Sequence, residues 1–177
     1  MKKKTYIATL AMTALLLASC SEKKNPDIII VKKSQTETPM PKTVEKVGDY
    51  KMPNEVEWLG NKYVVEVERK ADTEAQVSAD GRKFYDNNIQ VTVKRKDGSV
   101  FFNRKFTKQD FASYVDAAFL KRSVLLGITF VQAESNKLHF AASVGNPDET
   151  SDEFVPMILD VSNQGAVSIS KDLNADV

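Results

Sequence analysis

Ile89-Gln90-Val91-Thr92-Val93-Lys94-Arg95-Lys96-Asp97-Gly98-Ser99-Val100-Phe101-Phe102 is the stretch that decides the fold class. Ile89, Val91 and Val93 alternate with Gln90, Thr92 and Lys94, which puts apolar side chains on one face of an extended strand and polar ones on the other. Asp97-Gly98 then separates this run from Val100-Phe101-Phe102. A two-residue hairpin turn needs positive φ at both central positions, which Asp-Gly tolerates, so the stretch predicts two antiparallel strands joined tightly.

The pattern continues in both directions. Upstream, Tyr63, Val65 and Val67 face one way and Glu66 and Glu68 the other, and Asp80-Gly81 marks another reversal. Downstream, residues 123–133, 137–144, 154–161 and 166–170 read as strands, separated by Ser135-Asn136, an acidic loop and Asn163-Gln164-Gly165. The expected fold is mainly β: an antiparallel meander of about eight strands that closes as a barrel or stacks as a sandwich. One packed α-helix interrupts it. Thr107 can cap that helix with Asp110, and Phe111, Tyr114, Val115, Ala118 and Phe119 form one apolar stripe. Val124, Leu126, Ile128 and Phe130 alternate with Leu125 and Val131, so this strand is apolar on both faces and is expected to lie beneath the helix.

The start of the chain has a different character. Lys2, Lys3 and Lys4 precede a run from Ile7 to Ala18 that is apolar apart from Thr9 and Thr13. As a helix that run reaches about 18 Å, short of a hydrocarbon core near 30 Å, so it reads as a targeting leader rather than a membrane span. It ends Leu17-Ala18-Ser19-Cys20, which resembles the lipobox of bacterial lipoproteins. A thiol is the nucleophile that accepts diacylglycerol, and small residues before it admit the extended chain to a signal peptidase. Cys20 is the only cysteine in the chain, so no disulfide is available and lipidation is its expected use. The implied partner is a lipid bilayer, reached through the acylated Cys20. By resemblance to lipoprotein sorting signals, Ser21 argues against inner-membrane retention, and Glu22-Lys23-Lys24 lacks the acidic run of surface export. The expected location is the cell envelope, at the outer membrane and facing the periplasm.

Residues 1–19 are therefore read as the leader, 20–52 as lipidated cysteine and flexible tether, and 53–177 as a single β-rich globular domain. The tether is rich in Lys, Glu, Thr and Pro, and as a coil it spans about 30 Å. Ile28-Ile29-Ile30-Val31 breaks its polarity. Four β-branched aliphatics are costly to leave in water, at roughly 1.5–3 kcal/mol each, so a cover is expected. That cover is either the domain's own sheet or a partner protein that accepts them as an added strand. Deleting residues 28–31 and measuring the melting temperature separates the two, since only the first requires a large loss.

Composition narrows the function classes. Apolar residues make up 42% and charged residues 28%, the balance of a water-soluble domain. Removing Lys2, Lys3 and Lys4 from 25 basic residues leaves 22 against 24 acidic, near −2, with the two signs interleaved. No basic stripe for nucleic acid exists.

Trp58-Leu59-Gly60-x-x-Tyr63, Phe84-Tyr85-Asp86-Asn87-Asn88-Ile89, Lys96-Asp97-Gly98-Ser99-Val100-Phe101-Phe102-Asn103-Arg104, Phe106-Thr107-Lys108-x-Asp110-Phe111-x-Ser113-Tyr114 and Leu138-x-Phe140-Ala141-Ala142-Ser143-Val144 carry a resemblance. In order and spacing they resemble the uncharacterised Bacteroidetes lipoproteins of domain-of-unknown-function family 4738, over residues 55–172. The resemblance implies compartment and fold, and brings no activity, cofactor or catalytic residue.

Chemistry-bearing residues are few. His139 is the only histidine, which removes His-pair metal sites and weakens every triad. It points with Ala141 and Ser143 in its strand, and Ser143 lies about 13 Å away, too far for proton transfer. The loop Asn146-Pro147-Asp148-Glu149-Thr150-Ser151-Asp152-Glu153 gathers carboxylates, with Asp148 and Asp152 the weak candidates for calcium, but it lacks EF-hand spacing. Asp86-Asn87-Asn88 offers an acid with amide helpers, although three small polar residues before a strand read more simply as a turn or bulge. No phosphate-binding glycine loop or Gly-x-Ser-x-Gly occurs. The expectation is a non-catalytic binding or accessory module without cofactor or metal, whose partner is an envelope protein or glycan. The alternative is a carrier of small apolar ligands inside a barrel, and further off stands a hydrolase without a recognisable motif.

Overall fold

The computed structural model describes residues 43–175. Leu17, Ala18, Ser19, Cys20 and the stretch Ile28, Ile29, Ile30 and Val31 lie outside the described residues. Eight strands follow in order: β1 (Tyr50–Trp58), β2 (Asn61–Ala79), β3 (Arg82–Arg95), β4 (Val100–Phe106), β5 (Val124–Ala133), β6 (Lys137–Gly145), β7 (Phe154–Ser162) and β8 (Val167–Lys171). They form two four-stranded antiparallel meanders, β1-β2-β3-β4 and β5-β6-β7-β8. Between β4 and β5 the chain makes a 3-10 helix (Lys108–Tyr114) and a short helix α1 (Ala117–Arg122) instead of a tight turn, so the sheets do not close into a barrel.

Alternation puts one core between the two sheets. Val65, Val67, Ile89, Val91 and Val93 from the first meet Leu138, Phe140, Val144, Met157 and Leu159 from the second. Phe106 and Phe111 are fully buried there as well. Side chains fill the space where a barrel cavity was the alternative, which overturns the apolar-ligand carrier.

Several local readings are corrected. β1 begins at Tyr50, upstream of the boundary drawn at Pro53, and Glu45 already bridges Phe84 in parallel. Pro53 sits within β1, an edge strand, where a missing N–H is tolerated. Leu59 and Gly60 both have positive φ (54° and 68°) and close the β1–β2 hairpin, as Asp80-Gly81 (48° and 78°) closes β2–β3. At Asp97-Gly98 only Gly98 is left-handed, with φ 84°. Arg95 accepts from the Gly98 N–H at 2.9 Å and donates its own N–H to Ser99 at 2.8 Å. This is the three-residue loop with a bulge, not the expected two-residue turn.

The single helix is split. Val115 is extended, and the Asp116 carboxylate accepts from the Ala118 and Phe119 N–H groups at 2.9 and 3.0 Å, starting α1 afresh. Asp110 accepts from the Thr107 N–H at 2.8 Å, as expected of a cap. Burial pushes the Asp110 carboxyl up, but Thr107 and Arg104 outweigh it and hold it below the usual carboxylate range. α1 packs against β2 and β6 rather than over β5. In β5 a register shift between Leu125 and Gly127 breaks the alternation, so Leu125 and Ile128 both enter the main core while Leu126 packs with Val77, Phe84 and Val124.

Among the described residues, no strand pairs with the outer edge of β5. Side chains of the other sheet occupy its main-chain groups instead. The Tyr50 hydroxyl accepts from the Ile128 N–H at 3.2 Å and donates to the Ile128 carbonyl at 2.9 Å. Arg69 donates to the Leu126 carbonyl, and Trp58 Nε1 donates to the Glu134 carbonyl at 2.7 Å. Asp86 and Asn87 hold Leu125 on both its N–H and its carbonyl, at 3.0 and 2.9 Å. Side chains thereby cover an edge that no described strand pairs.

Where β6 meets β7, a Cβ on Gly145 would lie 2.6 Å from the Glu153 carbonyl oxygen and 2.7 Å from Leu126 Cδ1. Gly145→Ala is expected to lose about 1–3 kcal/mol, measured as a lower urea midpoint.

Candidate functional site

The site grows from an interruption in β2. Asp72 pairs Asp86 and Gln76 pairs Tyr85, so residues 73–75 have no partners on β3. The Asp72 carboxylate accepts from the Glu74 N–H at 3.1 Å, an Asx turn that competes with the sheet ladder. The bulge opens a cleft of about 480 Å³. Asp72, Glu74 and Gln76 form one wall, Thr107, Lys108 and Gln109 at the start of the 3-10 helix form another, and Asp86, Asn87 and Asn88 form the floor.

That floor is polar, and Asp86 and Asn87 are buried in it while Asn88 is half-buried. Asp86 is 6% exposed and Asn87 2%. Asp86 Oδ1 accepts from the Asn87 and Leu125 N–H groups at 2.8 and 3.0 Å, and Oδ2 lies 3.2 Å from Lys108 Nζ. Lys108 Nζ also donates to the Ser123 carbonyl at 2.8 Å. Asn87 Nδ2 is used by Leu125, while Asn87 Oδ1 is buried and has no hydrogen-bond partner among the described residues. A buried ion pair beside an unsatisfied amide is poor material for stability alone, which makes the cleft above it the candidate site.

Asp86-Asn87-Asn88 is thus no turn: it lies inside β3, opposite the bulge of β2. The acid-and-amide grouping was visible in the sequence. Its partner Lys108 was not, because nothing local links the two positions; nor was the bulge, whose only sign is the Asx-forming Asp72-Thr73 inside an otherwise extended run.

The other candidates lie elsewhere. His139, on the outer face of β6, is wedged between carboxylates: Nε2 is 2.8 Å from Glu134 and Nδ1 is 2.5 Å from Asp160, which also meets Lys137 at 3.1 Å. Neither His139 Nε2 nor Asp160 Oδ1 has a partner in hydrogen-bonding geometry among the described residues. The His139 contact holds the Glu134 carboxyl below its usual range. Asp148 is taken by Arg82 at 2.7 Å and by the Thr150 N–H and hydroxyl, and these Thr150 bonds lead in lowering its pKa. Arg82 also pairs with Glu45. Asp152 is exposed, and among the described residues no three His, Cys, Asp or Glu side chains are grouped to hold a metal ion. A larger groove of about 550 Å³ crosses the exposed ends of β1–β3 past Glu55, Lys62, Val64 and Lys94, but has no buried polar floor.

Among curated proteins, none matches this chain. A family model does match, over residues 29–169, a region that reaches further upstream than the motifs from Trp58 onward. It takes in the cleft, the masked edge of β5 and most of both sheets. The chain belongs to the family described as a domain of unknown function, DUF4738.

Proposed function

We propose that this protein is a lipid-anchored cell-envelope module, held through Cys20 and binding a partner at the bulge cleft without catalysing a reaction. The cleft above Asp86, Lys108 and the unpartnered Asn87 Oδ1 carries the reading. Binding is favoured over hydrolysis because the groups of an acid or base are already committed. Asp86 uses both oxygens, Lys108 is shared between Asp86 and Ser123, and His139 sits on the other sheet between two carboxylates. The lipobox Leu17-Ala18-Ser19-Cys20 and the tether support anchoring, most simply at the outer membrane facing the periplasm.

Inhibiting the lipoprotein signal peptidase is expected to leave a heavier precursor, and Cys20→Ser to release the chain from the membrane fraction. Unchanged mobility and fractionation would sink the anchoring. For binding, cross-linking in cells and capture of the lipidated chain should recover an envelope protein or glycan. Ala75→Trp, which fills the cleft, should lose it. Equal recovery by both chains overturns the cleft as the site.

A further inference from the structure

We infer that His139 is a pH-sensitive clasp on the tip of the β5–β6 hairpin, shut while its imidazole is protonated and opened as the proton leaves. Both ring nitrogens face carboxylates: Nε2 is 2.8 Å from Glu134, in the turn after β5, and Nδ1 is 2.5 Å from Asp160, on β7. A neutral imidazole carries one N–H and one bare lone pair, so at these distances one carboxylate opposes a lone pair, and only the imidazolium has an N–H on both sides. Water does not relieve that conflict in place, because Nε2 and Asp160 Oδ1 are closed to solvent. Of the other groups around the ring, Lys137 on β6 meets Asp160 at 3.1 Å, while Gln132, opposite His139 on β5, and Ser168, opposite Asp160 on β8, are neutral. Histidine is the side chain whose charge changes between about pH 5 and 8, so the contacts hold below that range and are lost as pH rises through it.

The two arms then part unequally. Asp160 keeps Lys137, while the exposed Glu134 keeps only the Gln132 amide, at 3.2 Å. Glu134 is also where the hairpin tip meets the other sheet. Its carbonyl accepts from Trp58 Nε1 at 2.7 Å, and the Trp58 ring stands edge-on to Tyr63 and Phe101, with centroids 5.4 and 5.5 Å away. Release of Glu134 therefore reaches the corner where β1 and the end of β5 meet, and loosens one of the side chains that cover the β5 edge.

The chain has one histidine and one tryptophan, so imidazole proton NMR reports His139 alone and acrylamide quenching of tryptophan emission reports Trp58 alone. The full chain in neutral detergent is titrated from about pH 5 to 8. Quenching of Trp58, which is 3% exposed, is expected to rise about twofold with the same midpoint as the imidazole signal. His139→Gln, which does not titrate, and Glu134→Gln, which keeps the imidazole but removes the charge of the opening arm, should each make quenching independent of pH. Glu134→Gln changes an exposed side chain to one of nearly the same shape, so its result stands even where His139→Gln fails to fold. Flat quenching across the imidazole titration of the parent chain, or a step that survives either substitution, overturns the inference.

Discussion

Asp86→Ala is expected to cost about 3–5 kcal/mol of unfolding free energy, seen as a fall in the urea midpoint with little change in slope. The side chain is almost fully enclosed and does two jobs. Oδ2 neutralises Lys108, whose own side chain is only 12% exposed, and Oδ1 receives the N–H groups of Asn87 and Leu125. Alanine leaves a buried ammonium with the Ser123 carbonyl as its one remaining partner, and two buried N–H donors with none. Lys108→Met removes the charge but leaves Oδ1 its two donors, so its loss should be the smaller. The double variant Asp86→Ala/Lys108→Met should then be less destabilised than the two single losses added, by about 0.5–3 kcal/mol. Strict additivity would show that the pair is uncoupled and that the floor is not the unit described.

The second large effect lies in the core. Phe111→Ala should lose about 3–5 kcal/mol. Its ring is fully buried, packs 6.4 Å from Phe106, and reaches the core from the 3-10 helix rather than from a strand. Val131→Ala, on a side chain 58% exposed, is the control and should stay within about 0.5 kcal/mol. A Phe111→Ala loss as small as that would mean the segment between the sheets is a loose connection rather than part of the core.

Much of the fold was legible because its strands each bury one face. Phe154 to Val161 alternates and appears as β7, and the Ser135-Asn136 and Asn163-Gln164-Gly165 breaks fall between strands. β1 was less visible, since Pro53 and Asn54 disfavour a strand and Leu59 is an unusual residue for positive φ. The stripe from Phe111 to Phe119 is apolar in sequence, yet the structure breaks it at Val115 and Asp116 and leaves Ala118 exposed. A period reports which side chains face inward and says little of a break where Asp116 can cap a new turn. In the site, the acid-and-amide chemistry of Asp86-Asn87-Asn88 is plain in the sequence, while its place opposite a bulge is set by another strand.

By itself, the sequence determined the alternation of β2, β3 and β6 to β8 and the reversal at Asp80-Gly81, because each is a pattern among near neighbours. Tertiary structure decided that the meanders stay separate, that Lys108 reaches Asp86, and that Tyr50 closes the edge of β5 across 78 residues. Those contacts join positions with no shared period. They form because burying the core brings polar groups to an edge where water can no longer satisfy them, and side chains from the opposite sheet take water's place.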